Sequence, residues 1–249
     1  MSSRRKLFLF VALPLVLIFA LLATYIAESG QSDGLARSKD CPAMVSPVDM
    51  SRVTSILYPG QERGGDYKAH GGFRLDNSPD NNVEVRAPYS AKITAAGRYI
   101  EMGETQIIMD LKTDCGLEYR FDHLRTLAPK FQSMLDELPA AKESSSNTHG
   151  VRPAISVTAG EVIATAVGFI KSPGGEAGPN VSFDLGLYDR RGKNQASQNP
   201  DWAAVHKQYS YQTFYAVCWL DWLPSIDAAI AKSLPAGDGK SGKTSDFCH

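Results

Sequence analysis

Apolar positions along the chain fall into three regimes. The first is an almost unbroken run from Leu7 to Ile26, in which only Thr24 is polar. As a helix such a run rises about 30 Å, the thickness of a bilayer's hydrocarbon core. Arg4, Arg5 and Lys6 precede it, and Glu28 and Asp33 follow. Basic residues stay on the cytoplasmic side, so the rest of the chain is expected outside. Residues 1–27 therefore read as a transmembrane anchor spanning the membrane through residues 7–26, or as a cleaved signal sequence. The run exceeds the usual apolar core of a signal peptide, and Ala23–Ala27 makes a poor cleavage site, which favours the anchor. Residues 28–43 are polar and small and read as a stalk.

The second regime, residues 44–188, has period two. Val83–Arg86, Ala91–Ala96, Gln106–Leu111, Leu117–Phe121, Ile155–Thr158, Glu161–Ala164 and Val181–Leu187 are strand-length runs separated by turn residues. They predict an all-β, antiparallel domain. An insertion at about residues 129–153 breaks the pattern. Phe131, Met134, Leu135 and Leu138 have helical spacing and predict a short helix there. The third regime, residues 189–235, is an aromatic-rich extension carrying Tyr209, Tyr211, Phe214, Tyr215, Trp219 and Trp222. It is expected to hold a final strand and a C-terminal helix starting near Pro224. The aromatic run suits core packing or a sugar-stacking platform. Residues 236–249 read as a flexible tail.

Composition narrows the function classes. The 249 residues are 43% apolar and 21% charged, with a formal charge of −1. That excludes a multi-span membrane protein, and no basic field exists to hold nucleic acid. With Arg4, Arg5 and Lys6 set aside, the exported part is mildly acidic. It contains four cysteines, Cys41, Cys115, Cys218 and Cys248, with no Cys-x-x-Cys pair. This favours two disulfides in an oxidising compartment over a structural zinc site. Three pairings are open. The proximity of chain ends in many domains leans toward Cys41–Cys248 with Cys115–Cys218.

Three segments carry candidate chemistry. The first is Lys68-Ala69-His70-Gly71-Gly72-Phe73-Arg74, followed by Val85–Pro88 and Ala91–Gly97. The second is Gly116–Leu124, ending in Phe121-Asp122-His123-Leu124. The third is Val157–Ala164, followed by Gly178-Pro179-Asn180-Val181-Ser182-Phe183-Asp184. Taken in order, over residues 57–188, they resemble the lysostaphin/LytM-type zinc metallopeptidases, which cut peptide cross-links in bacterial cell walls. The resemblance implies a compact antiparallel β-sheet fold with a groove. It places His70 at a zinc-ligand position and His123 at the position of a catalytic histidine.

The same comparison exposes departures. Arg74 stands where the family has a ligating aspartate. Asn180 and Ser182 stand where it has two histidines. One of three ligands remains, and a fixed guanidinium repels a cation. Asp76, two positions from Arg74 on the same strand face, and Asp184 are candidates to pair with it or to compensate for missing ligands. The expected binding groove therefore comprises His70, Arg74, Asp76, His123, Asn180, Ser182 and Asp184.

The leading expectation is a membrane-anchored, extracytoplasmic, non-catalytic relative of these peptidases with no cofactor. It would bind a cell-envelope polymer or an envelope protein. An active zinc peptidase with a rearranged ligand set is the alternative, and a structural ectodomain of a membrane assembly a second.

Overall fold

The computed structural model describes residues 40–143, 145–170 and 180–249. The expected anchor and most of the stalk lie outside them. Among the described residues, no helix is long and apolar enough to cross a membrane.

Among the described residues twelve strands follow one another: β1 (Ser55–Leu57), β2 (Gln61–Arg63), β3 (Asp66–Lys68), β4 (Gly71–Leu75), β5 (Val85–Arg86), β6 (Ala91–Glu101), β7 (Glu104–Lys112), β8 (Leu117–Leu127), β9 (Lys142–Glu143), β10 (His149–Val157), β11 (Val162–Phe169) and β12 (Val181–Asp189). Helix α1 (Gln132–Glu137) lies between β8 and β9, and α2 (Pro200–Val205), α3 (Ser210–Thr213) and α4 (Ser225–Ser233) follow β12. Ten strands form one sheet, ordered β1-β4-β12-β11-β8-β7-β6-β10, with β5 on β11 and β9 on β6. β12 also pairs with β8, while β2 and β3 form a separate hairpin.

The all-β, wholly antiparallel expectation is overturned. The molecule is mixed α/β, and its large sheet is mixed too, because β9 runs parallel to β6. Two physical causes stand out. The helices other than α4 span at most six residues, too short to leave a clear 3.6-residue period. The aromatic run expected as a strand instead coils through α3 and a 3-10 turn at Trp219–Asp221. Its packing explains this: Trp219 is fully buried, with its ring 4.6 Å from that of Phe73.

Alternation does set the sheet's two faces. Phe73 and Leu75 on β4, Ile107, Met109 and Leu111 on β7, Leu117, Tyr119 and Phe121 on β8, and Val181, Phe183, Leu185 and Leu187 on β12 fill the core. Phe73 and Phe183 stack with centroids 5.1 Å apart. The period slips on β6 and on β8. On β8 the buried residues run Leu117, Tyr119, Phe121, then Leu124, and the pairing with β7 shifts at that point. One extra residue on β8 makes a bulge, and His123 takes φ 62° within it.

Both disulfides form, but in another of the three pairings: Cys41–Cys115 and Cys218–Cys248. The two ends of the described chain lie against different parts of the domain. Cys41 reaches the β7–β8 turn, whereas the C-terminal residues run past β1 and β2. Two disulfides indicate an oxidising, extracytoplasmic location.

Residues 236–249 pack onto the domain. Pro235 and Gly237 hydrogen bond to both sides of Ile56, so the chain adds to the edge of β1. Gln61 then donates to the carbonyls of Gly242 and Thr244, and Asp246 accepts from Tyr67 and Trp202.

Candidate functional site

The three motif segments lie on adjacent strands. β12 pairs with β4 so that Ser182 faces Arg74 and Asp184 faces Gly72, and with β8 so that Asp184 faces Asp122. The candidate residues share one face of the sheet, opposite the apolar core. Two glycines let the strands approach. A Cβ on Gly72 would sit 2.3 Å from Asp184 Oδ1, and one on Gly71 would sit 2.2 Å from the Leu57 carbonyl oxygen. The Gly71-Gly72 pair after His70 is thus a packing requirement.

His70, His123 and Asp184 converge. Asp184 Oδ2 is 3.0 Å from His70 Nε2 and 3.9 Å from His123 Nε2. Asp184 Oδ1 is buried and has no hydrogen-bond partner among the described residues. Burial alone would raise the Asp184 pKa. The hydrogen bond from His70 and the charges of His70, His123 and Arg63 outweigh it and hold the carboxyl far below the usual carboxylate range. Arg63, on β2, also donates to the His70 carbonyl at 3.0 Å.

The bulge delivers His123. Its backbone N–H donates to Asp122 Oδ1 at 2.8 Å, and the Tyr99 hydroxyl donates to the same oxygen at 2.5 Å. His123 Nδ1 is 2.7 Å from Gln106 Oε1. Gln106 spends its amide N–H groups on Glu104 and on the Phe169 carbonyl. Its Oε1 can therefore only accept, which places a proton on His123 Nδ1. Burial disfavours the charged imidazole, but Asp122, Asp184 and Glu101 outweigh burial and the opposing charge of Lys68, so the His123 pKa is raised.

Arg74, Asp76, Asn180 and Ser182 form a second group, in which Arg74, Asn180 and Ser182 are buried and Asp76 is partly exposed. Arg74 is 5% exposed. Its Nη2 donates to Asp76 Oδ1 at 2.7 Å, and its Nη1 to the Gly237 carbonyl at 2.8 Å. Asp76 also accepts from Ser55 and Thr54. Although burial opposes it, Arg74 and these hydroxyls lower the Asp76 pKa. Asn180 Oδ1 accepts from the Asn77 N–H at 3.0 Å, and Ser182 is 1% exposed beside Arg74.

No protein-family model matches the chain, and a search of curated proteins returns no significant match.

The residues present do not fit the zinc that the resemblance implies. The position of the ligating aspartate holds a buried guanidinium already paired with Asp76, and Ser182 is a poor ligand. His70 Nε2 lies 3.0 Å from Asp184 Oδ2, which calls for an N–H there rather than a lone pair directed at a cation. Among the described residues, no group of three His, Cys, Asp or Glu is spaced to hold a metal ion. The site instead supplies fixed hydrogen-bond donors and acceptors around a paired carboxylate.

Tyr99, Gln106 and Arg63 were missed in the sequence. Period two marks a polar strand residue as solvent-facing, yet Gln106 is fully buried. The available signal was the slip of the apolar period between Phe121 and Leu124, which marks the bulge and so the residues around His123.

Proposed function

We propose that this chain is a non-catalytic relative of the lysostaphin/LytM-type peptidases, held at the outer face of a membrane by residues 7–26. Its sheet face binds a cell-envelope polymer. The observation that carries this reading is Arg74. A residue at a metal-ligand position is replaced by a permanent cation, buried, ion-paired and bonded to the C-terminal segment. Its charge opposes zinc, and without zinc no bound water is driven toward hydroxide near neutral pH. The convergence of the three motif segments on one face supports the family assignment, and the two disulfides support the location.

The test is metal content together with retention on envelope material. Full-length protein, produced with zinc in the medium and purified without an affinity tag, is expected to hold well under one zinc per chain. It should sediment with isolated cell walls and leave their peptides intact. Stoichiometric zinc that disappears in His70→Ala would overturn the non-catalytic reading.

A further inference from the structure

Beyond Asp184, the same sheet face continues along β12 to Gly186 and Tyr188. Four residues of extended strand place Tyr188 about 13 Å from Asp184. There the face opens into a cleft of about 570 Å³, walled on one side by α3. This volume suits one or two sugar-sized units.

Three features of the cleft limit what it can hold. Its floor strands, β6, β7, β8 and β12, are each paired on both sides, so it has no free strand edge. An extended peptide could not add to the sheet there, and recognition falls to side chains. Those side chains are planar and polar. Arg120 grips Asp110 through two bonds of 2.6 and 2.8 Å, and Glu118 is shared between Arg190 and Lys112. Three cations against two carboxylates leave one positive charge in excess, and Lys112, with 57% of its side chain exposed, stands at the rim. Aromatic surface supplies the third feature. Tyr211 is 53% exposed at the wall.

A flat aromatic wall, paired charges and a single surplus cation together match a hydroxylated ring bearing one carboxylate. We propose that this cleft is a subsite for an acidic sugar residue of a glycan. Tyr211 stacks on the ring, Lys112 receives the carboxylate, and the Arg120–Asp110 pair hydrogen bonds its hydroxyls. This assignment rests on reading the domain as a binder of envelope polymer and names the chemistry of one part of that polymer.

The experiment is calorimetric titration of the full-length protein with two probes. One is a tetrasaccharide alternating uronic acid and N-acetylhexosamine. The other is the same compound with its carboxylates reduced to alcohols. The acidic form should bind, and the reduced form about tenfold more weakly. Tyr211→Ala should weaken binding about fivefold, whereas Tyr211→Phe should not. Lys112→Gln should erase the preference for the acidic form. Equal binding of both probes, no binding of either, or tighter binding of a short acidic peptide would overturn the subsite. If the subsite fails while the protein still sediments with cell walls, the broader reading stands. Loss of both overturns both.

Discussion

At the scale of single residues, Asp184 is the centre of the candidate site because one carboxylate oxygen faces two imidazoles. Its pKa is depressed and that of His123 is raised. The signs differ in consequence. A depressed carboxylate stabilises the fold above its unfolded pKa of about 4 and loses that contribution as pH falls. A raised histidine stabilises it below about pH 6.5 and loses that contribution as pH rises through its folded value. Both contributions are complete only between about pH 4 and 6.5. Asp184→Asn keeps the shape and removes the charge. It is expected to cost about 2 kcal/mol near pH 5, or about 4–8 °C in melting temperature for a domain of this size. The deficit should shrink by pH 8–9. Melting curves across that range check it, and a pH-independent loss would show that Asp184 acts through packing alone. His70, His123 and Asp184 were legible as candidates because they sit in motifs. Tyr99 and Gln106 were not, because nothing in a strand's period distinguishes a buried polar residue from an exposed one.

At the scale of elements, the C-terminal segment is the least legible part and one of the most consequential. Its Gly-, Lys- and Ser-rich composition reads as a mobile tail, since composition reports on burial and not on backbone pairing. Yet Pro235 and Gly237 extend the sheet beyond β1, and Phe247 packs against the core. Gly237 cannot change freely, because a Cβ there would lie 2.6 Å from Arg74 Cδ. Ending the chain after Leu234 would strip a partner from the buried Arg74 guanidinium, remove two backbone bonds from Ile56, and free Cys218. Arg74 keeps its ion pair with Asp76, so the loss there is one hydrogen bond to a charged group, about 1.5–3 kcal/mol. Hydrogen exchange at Ile56 is therefore expected to accelerate at least about tenfold in the truncated protein, with a lower melting temperature. Unchanged protection at Ile56 would mean that the segment does not hold the β1 edge.

At the scale of the whole molecule, the alternating runs located most strands, but not their order. Nothing in them places β12 between β4 and β11, or sets β9 parallel to β6, because order depends on which faces complement one another across long separations. The disulfides resist reading for the same reason. Four cysteines imply two bonds, but only the path of the folded chain brings Cys41 to Cys115 and Cys218 to Cys248. Those bonds close loops with sequence separations of 74 and 30 residues. Restricting the unfolded chain over such loops contributes about 3–5 kcal/mol each by the chain-entropy estimate. The two together are comparable with the about 5–15 kcal/mol net stability of an ordinary domain. The fold is therefore expected to be secure only where thiols are kept oxidised. Peptide mapping without reduction should recover the Cys41–Cys115 and Cys218–Cys248 pairs. Reduction of the folded protein should lower its melting temperature by more than about 10 °C, and protein made in a reducing compartment should be recovered mainly as aggregate. A reduced chain that melts within a few degrees of the oxidised one would show that the sheet core alone suffices, and would remove the strongest physical reason for placing this domain outside the cytoplasm.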